Sequence, residues 1–194
     1  MRTSKLFLSL LIVPSLTCAQ PSSDMGEKCQ SYVTIQGFGI SALGNFKKDW
    51  KEGSGGYVGY GLIYPSQWGL AFQTGYINFR KNPSANLGDD PSFTIIPFMV
   101  GGRYYILPDR VRPFLHAMSG INYINQKFLK SGVGVDESLI KLNFQIGVGF
   151  QIGLFSNLAI ELAGRYNSHL MDPNTPYNAT GIEYGVALNW GLGE

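Results

Sequence analysis

Residues 140–152 alternate without a break. Ile140, Leu142, Phe144, Ile146, Val148, Phe150 and Ile152 share one parity, and Lys141, Asn143, Gln145, Gly147, Gly149 and Gln151 share the other. A two-residue period puts each set on its own face of an extended strand, whereas a helix repeats near 3.6. The same parity runs through Leu158, Ile160, Leu162 and Tyr166, and again through Ile182, Tyr184, Val186, Leu188 and Trp190. Eight strands are expected, near residues 32–44, 56–65, 68–80, 93–106, 111–127, 139–153, 157–168 and 179–192. They exceed the usual globular strand of about 5 or 6 residues and suffice to cross a bilayer at a tilt, which takes about 9–11.

Parity alone also fits a half-buried soluble sheet, so the character of the polar face decides. Only 14% of the 194 residues are charged, against roughly 25% in soluble domains. The polar parity carries Gly, Ala, Asn and Gln with few charges, so that face is crowded rather than solvated. The apolar parity is too bulky to fill an eight-stranded ring, whose interior is just wide enough for side chains. Facing lipid, the large residues need no partner, and a closed barrel satisfies every backbone group there. An aromatic content of 13% excludes disorder, the 25 glycines lack a collagen triplet period, and no basic stripe invites nucleic acid.

The chain opens MRTSKLFLSLLIVPSLTCAQ. Arg2 and Lys5, then the apolar stretch Leu6–Leu16, then Thr17-Cys18-Ala19 form the pattern of a secretory signal peptide over residues 1–19. With Pro14 inside, the stretch is too short to span a bilayer as a helix. A lipoprotein leader would cleave before Cys18, but Ser15 stands where such leaders carry leucine. Of the 15 basic side chains, removal of Arg2 and Lys5 leaves 13, which balances the 13 acidic ones. Residues 20–31 then form a short polar arm and residues 32–194 the barrel. Cys29 alone remains after cleavage, so no internal disulfide is expected, and without a cysteine–histidine cluster neither a metal nor any other cofactor is expected.

Connections alternate in length. Ser66-Gln67, Leu107–Arg110 and Leu154–Ser156 are short, while NFKKDWKEGSG, KNPSANLGDDPS, FLKSGVGVDES and HLMDPNTPYNA are long and polar. Short turns at one end and longer loops at the other are the outer-membrane barrel layout, with the turns in the periplasm. Aromatics gather near the strand ends, as interface girdles require. Tyr64, Trp68, Tyr104, Phe150, Phe155 and Trp190 lie near the turns, and Tyr76, Phe93, Tyr123, Phe128, Tyr166 and Tyr177 near the loops. Two strands resist: the first is mixed around Gly37, and Pro97 interrupts the fourth, where a bulge or a different register is expected.

On these features the chain resembles the small eight-stranded outer-membrane β-barrels, the OmpX/OmpA-type, opacity-porin-like group, over roughly residues 32–192. Glu183–Trp190 is similar to that family's C-terminal assembly signal, with Gly185, Leu188 and Trp190 at its fixed positions. The resemblance implies recognition by the barrel assembly machinery, although this chain continues to Glu194 instead of ending on the aromatic.

Charges assigned to the inner face form the candidate site. Arg103, Lys141, Glu161, Arg165 and Glu183 are expected to join Gln73, Asn143, Gln145 and Gln151 in a lumenal polar network, because buried charges persist only when paired. His116 reads as a hydrogen-bonded filler. His169 beside Ser168, with Glu183 further on, invites comparison with barrel lipid A deacylases, but their serine position holds Met171 here. Lys47, Lys48 and Lys51 are positioned to meet anionic lipopolysaccharide or simply to solvate the first loop.

The expectation is therefore an all-β, eight-stranded antiparallel up-and-down transmembrane β-barrel of the Gram-negative-type outer membrane, exported by a cleaved signal peptide. It is expected to be a non-enzymatic monomer whose loops serve adhesion, ligand contact or envelope integrity. Its expected partners are outer-membrane lipid, lipopolysaccharide, the assembly machinery and an unidentified loop ligand. The alternatives are a narrow solute channel, a lipid A-modifying enzyme, or a soluble lipocalin-like binder.

Overall fold

The computed structural model describes residues 29–88, 90–107, 110–130, 133–169 and 179–192. They form β1 (Gln30–Ala42), a one-turn helix α1 (Phe46–Asp49), β2 (Trp50–Ile63), β3 (Trp68–Lys81), β4 (Ser92–Tyr105), β5 (Val111–Lys130), β6 (Val133–Phe155), β7 (Leu158–Ser168) and β8 (Thr180–Gly191). Each strand pairs antiparallel with the next, and β8 returns to β1, where Tyr32 meets Gly191 and Ala42 meets Gly181. The sheet is a closed up-and-down barrel with no free edge along this seam.

Parity sorts the faces as the alternation implies. On β6, Ile140, Leu142, Phe144, Ile146, Val148 and Phe150 are exposed on the outer wall, Ile140 to 69%. Asn143, Gln145 and Gln151 are buried inside. Exposed aromatics ring the turn end through Tyr64, Trp68, Tyr104, Phe150, Phe155 and Trp190, with Trp68 and Tyr104 in contact at 5.0 Å. Toward the loops, Tyr76, Tyr123 and Tyr166 are exposed. Phe93 and Phe128, expected in that upper girdle, instead point inward and are buried. Their parity matches Ile95 and Ile124, so they belong to the interior. Tyr177 lies outside the described residues.

Several boundaries move. β2 starts at Trp50 rather than near 56, with a register shift between Trp50 and Gly53. The buried indole of Trp50 anchors this early start against Phe93 and Phe128. β5 and β6 continue to Lys130 and from Val133, pairing those two residues, so much of the expected loop is hairpin. β1 begins at Gln30, inside the expected arm. Cys29 is disulfide-bonded, contrary to the expectation that no internal disulfide forms.

The two resistant strands have simple explanations. In β1, Phe38 points inward and stacks on Tyr57 at 4.3 Å, while Gly37 and Gly39 lie on the outer parity. The β4–β5 ladder passes unbroken through Pro97 and Asn122. Between β3 and β4 the pairing runs from Thr74–Phe98 to Ile77–Ile95, which omits the two rungs at Pro97 and Ile96. The missing proline N–H is thus accommodated by a gap in an otherwise constant register, not by the expected bulge or slip.

One glycine shows how the interior is shaped. A Cβ at Gly61 on β2 would overlap the ring of Tyr32 on β1. The bare backbone therefore makes room for a large neighbour where two side chains could not fit.

Candidate functional site

The inward parities of β4, β7 and β8 place Arg103, Glu161, Arg165, Glu183 and Asn189 in the lumen, all buried. Arg103 grips Glu161 through two guanidinium nitrogens at 2.6 and 3.3 Å, the geometry of a bidentate pair. Arg165 bridges the two carboxylates, donating to Glu161 at 2.8 Å and to Glu183 at 2.6 Å. Asn189 completes Glu161 at 3.2 Å. Glu183 also accepts from Gln36, Tyr57, Gln145 and Asn167, at 3.1, 3.0, 3.4 and 2.8 Å. Gln145 in turn donates to Asn167 and accepts from Gln73. Two guanidiniums thus face two carboxylates, and the amides satisfy the remaining oxygens. The Arg103 guanidinium lies 5.0 Å from the Phe114 ring centroid, a cation–π contact.

Of the residues singled out from sequence, this network joins Arg103, Glu161, Arg165, Glu183, Gln73 and Gln145. Asn143 belongs to a separate cluster nearer the loops, donating to Asn122 at 3.1 Å and to the Met99 sulfur at 2.8 Å. Gln151 is buried at the turn end, where it lines a cavity of about 120 Å³ with Tyr32, Arg110, Arg112 and Asn189. Lys141 is half-buried on the inward row of β6, two residues beyond Asn143. Sequence reasoning did not select Gln36, Tyr57, Asn122 or Asn189. Their inward parity was the available signal, but β1 and the glycine-rich β2 obscured it for the first two.

The histidines differ from expectation. Among the described residues, neither ring nitrogen of His116 meets a hydrogen-bond partner. At the end of β7, Asn122 donates to the His169 carbonyl at 3.0 Å and approaches its Nδ1 at 3.3 Å. A carbonyl only accepts, so the Asn122 nitrogen must face His169. Nδ1 therefore accepts and the imidazole proton sits on Nε2. This ring is engaged with an asparagine, while Glu183 is occupied by its five donors; Met171 lies outside the described residues.

Above the polar network the interior turns apolar. Phe46 of α1 reaches inward against Phe79 and Phe93 at 5.0 and 5.2 Å, and Trp50 contacts Phe93 and Phe128 at 5.3 and 6.2 Å. Ile40, Ile77, Ile95, Ile124 and Leu87 fill the space between them. The lumen is closed at two levels, by ion pairs below and by rings above. Among the described residues no group of three or more His, Cys, Asp or Glu could hold a metal ion.

A sequence model of the outer membrane protein beta-barrel domain matches residues 9–189. The chain belongs to this family. Its apolar outer wall is accordingly a lipid-facing belt in the outer membrane. No curated protein matches the chain. Among solved structures the barrel is similar to the Neisserial surface protein A, at TM-score 0.57 and 15% identity over 86% of this chain and all (100%) of that one. It is also similar to the attachment invasion locus protein Ail of Yersinia pestis, at 0.53 and 17%, over 84% and 97%. The outer membrane protein OprG of Pseudomonas aeruginosa matches at 0.53 and 11%, over 87% and 99%. At these identities the likeness is one of fold. Within the barrel's last strand, Leu188 and Trp190 face outward, and Gly185 faces inward, where a Cβ would come within 2.7 Å of Phe38.

Proposed function

We infer that this outer-membrane barrel is a non-enzymatic surface protein that works through its loop end, in adhesion, ligand contact or envelope integrity, and does not conduct solutes. The observation that carries this reading is the doubly closed lumen. A solute would have to displace both the Arg103–Glu161–Arg165–Glu183 ion pairs and the Phe46–Trp50–Phe93 ring cluster. The same ring cluster ties α1 and the start of β2 to the barrel interior, which gives the loops a fixed base. The attachment role that gives Ail its name accords with a loop-based function.

The test is conductance of the purified full chain in planar bilayers. No steps above background are expected at any voltage the bilayer tolerates. Reproducible single-channel steps from the native protein would replace this reading with the solute channel. Export through the expected leader, and recognition of Gly185, Leu188 and Trp190 by the assembly machinery, belong to the same proposal. Replacing Trp190 with serine is expected to leave protein unassembled in the periplasm.

A further inference from the structure

The cavity of about 120 Å³ at the turn end is lined by the ends of β1, β2, β5, β6, β7 and β8. Arg110 and Arg112 continue the inward row of Phe114 and His116 past the ion pairs, toward the turns, and both line this cavity. No aspartate or glutamate lines it. The Arg110 Nε donates to the Gly153 carbonyl at 2.8 Å, and the Gly153 N–H donates back to the Arg110 carbonyl at 2.9 Å. The base of the side chain is thereby held on the rim, while its two terminal guanidinium nitrogens make no hydrogen bond among the described residues. Arg112 has an interaction of its own and adds its charge to the site.

Gln151 is only 5% exposed and lines the same cavity, yet its amide makes no hydrogen bond among the described residues. A buried amide left without a partner is costly, so this one calls for a group that both accepts and donates. Asn189 spends its nitrogen on Glu161 at 3.2 Å, and its Oδ1 is likewise unpartnered. Glu161, the register partner of Gln151, does not compete for the arginines at the rim, because each of its oxygens already accepts from two donors. Asp109, on the turn before Arg110, lies outside the described residues. Ile63, Leu158 and Ala159 supply the apolar part of the wall.

We propose that this cavity binds the carboxyl-terminal residue of a periplasmic peptide, one with a small side chain. Arg110 holds the carboxylate, as a guanidinium does through paired N–H bonds, and Arg112 reinforces it by charge. The terminal peptide N–H donates to the Gln151 Oε1, and a methyl-sized side chain rests against Ile63 and Ala159. A cavity of about 120 Å³ suits one small residue, with the rest of the peptide leaving between the turns. Inorganic phosphate would match the arginines alone and set a charged surface against the apolar wall. The turn end of such a barrel faces the periplasm, so the site is independent of what the loops do at the other end.

Ligand-observed NMR line broadening tests this, with the full chain in detergent micelles and N-acetyl-alanyl-alanine as the peptide. A hydrogen bond to a charged group changes affinity about tenfold or more, and one between neutral groups about fivefold. Arg110→Gln should therefore weaken binding about tenfold, and Gln151→Leu about fivefold with both arginines in place. Amidating the peptide's carboxyl group should weaken its binding to the native chain about tenfold. Arg80→Gln, at the loop end, should change affinity less than twofold. Retained heat-modifiable migration on gels confirms that each variant folds, and Arg110 is exposed, so its variant does not depend on how the buried Gln151 is replaced. Four results would overturn the proposal: no broadening with the native chain, equal affinity of the native and Arg110→Gln chains, equal affinity for the amidated peptide, or displacement of the peptide by equimolar inorganic phosphate.

Discussion

Arg165 shows how much of the interior rests on one side chain. It touches both Glu161 and Glu183, so its removal leaves Glu183 without a cation and Glu161 with Arg103 alone. Breaking a buried pair by deleting one partner costs about 3–5 kcal/mol, whereas replacing the pair with uncharged groups of similar volume is often neutral. Arg165→Ala is therefore expected to destabilise the barrel by about that amount. Arg165→Met combined with Glu183→Gln should recover most of the loss, because Gln36, Tyr57 and Asn167 can still hydrogen-bond an amide. Urea unfolding in lipid vesicles, followed by tryptophan fluorescence, measures both. That Arg165 and Glu161 share a face was legible from their spacing on one strand. That Arg103 would reach Glu161 was not, because β4 and β7 meet only across the closed lumen, at a distance set by strand number and tilt.

Among the elements, β6 was the most legible because its two parities are unmixed from 140 to 152. The start of β2 was hidden, since Lys51 and Glu52 interrupt the alternation where the register shifts. The upper parts of β5 and β6 were hidden for another reason. There the outer wall is polar, through Asn125, Lys127, Asp136 and Ser138, so backbone pairing continues without a hydrophobic signature. α1 could not be read at all, because four residues carry no period; burial of Phe46 holds it in place. At the end of β7, His169 closes the base of the last loop by its N–H bond to the Ala179 carbonyl at 2.8 Å. Burial pushes its pKa down from 6.5 to about 4. Its neutral form is favoured in the folded chain, so the unfolded chain binds its proton first on acidification. The stability it contributes is complete above pH 6.5 and is lost as the pH falls toward 4. His169→Phe should flatten that portion of the melting-temperature profile, measured against the native protein over the same pH range.

At the scale of the whole molecule, two independent closures imply that neither alone controls permeation. Phe46→Ala with Trp50→Ala should open the loop end yet give no current in planar bilayers, since the ion pairs still block the lumen. Adding Arg103→Ser and Glu161→Ser should then yield conductance steps. Current from the ring variant by itself would show that the ion pairs are no barrier. The polarity of the interior also changes along the barrel axis, and that gradient bears on how the wall is delivered. The turn end remains on the periplasmic side, while the loop end must traverse the bilayer to reach the exterior. Rings and aliphatic side chains fill that leading end. Arg103 lies two residues from the end of β4 and Glu161 three from the start of β7, both at the trailing end. An ionised side chain at mid-bilayer is expensive, and these two need not pass that depth. Arg103 and Glu161 are thus seated last, close to the side from which they came, whereas Arg165 and Glu183, each three residues from the loop end of its strand, travel further as a mutually neutralised pair.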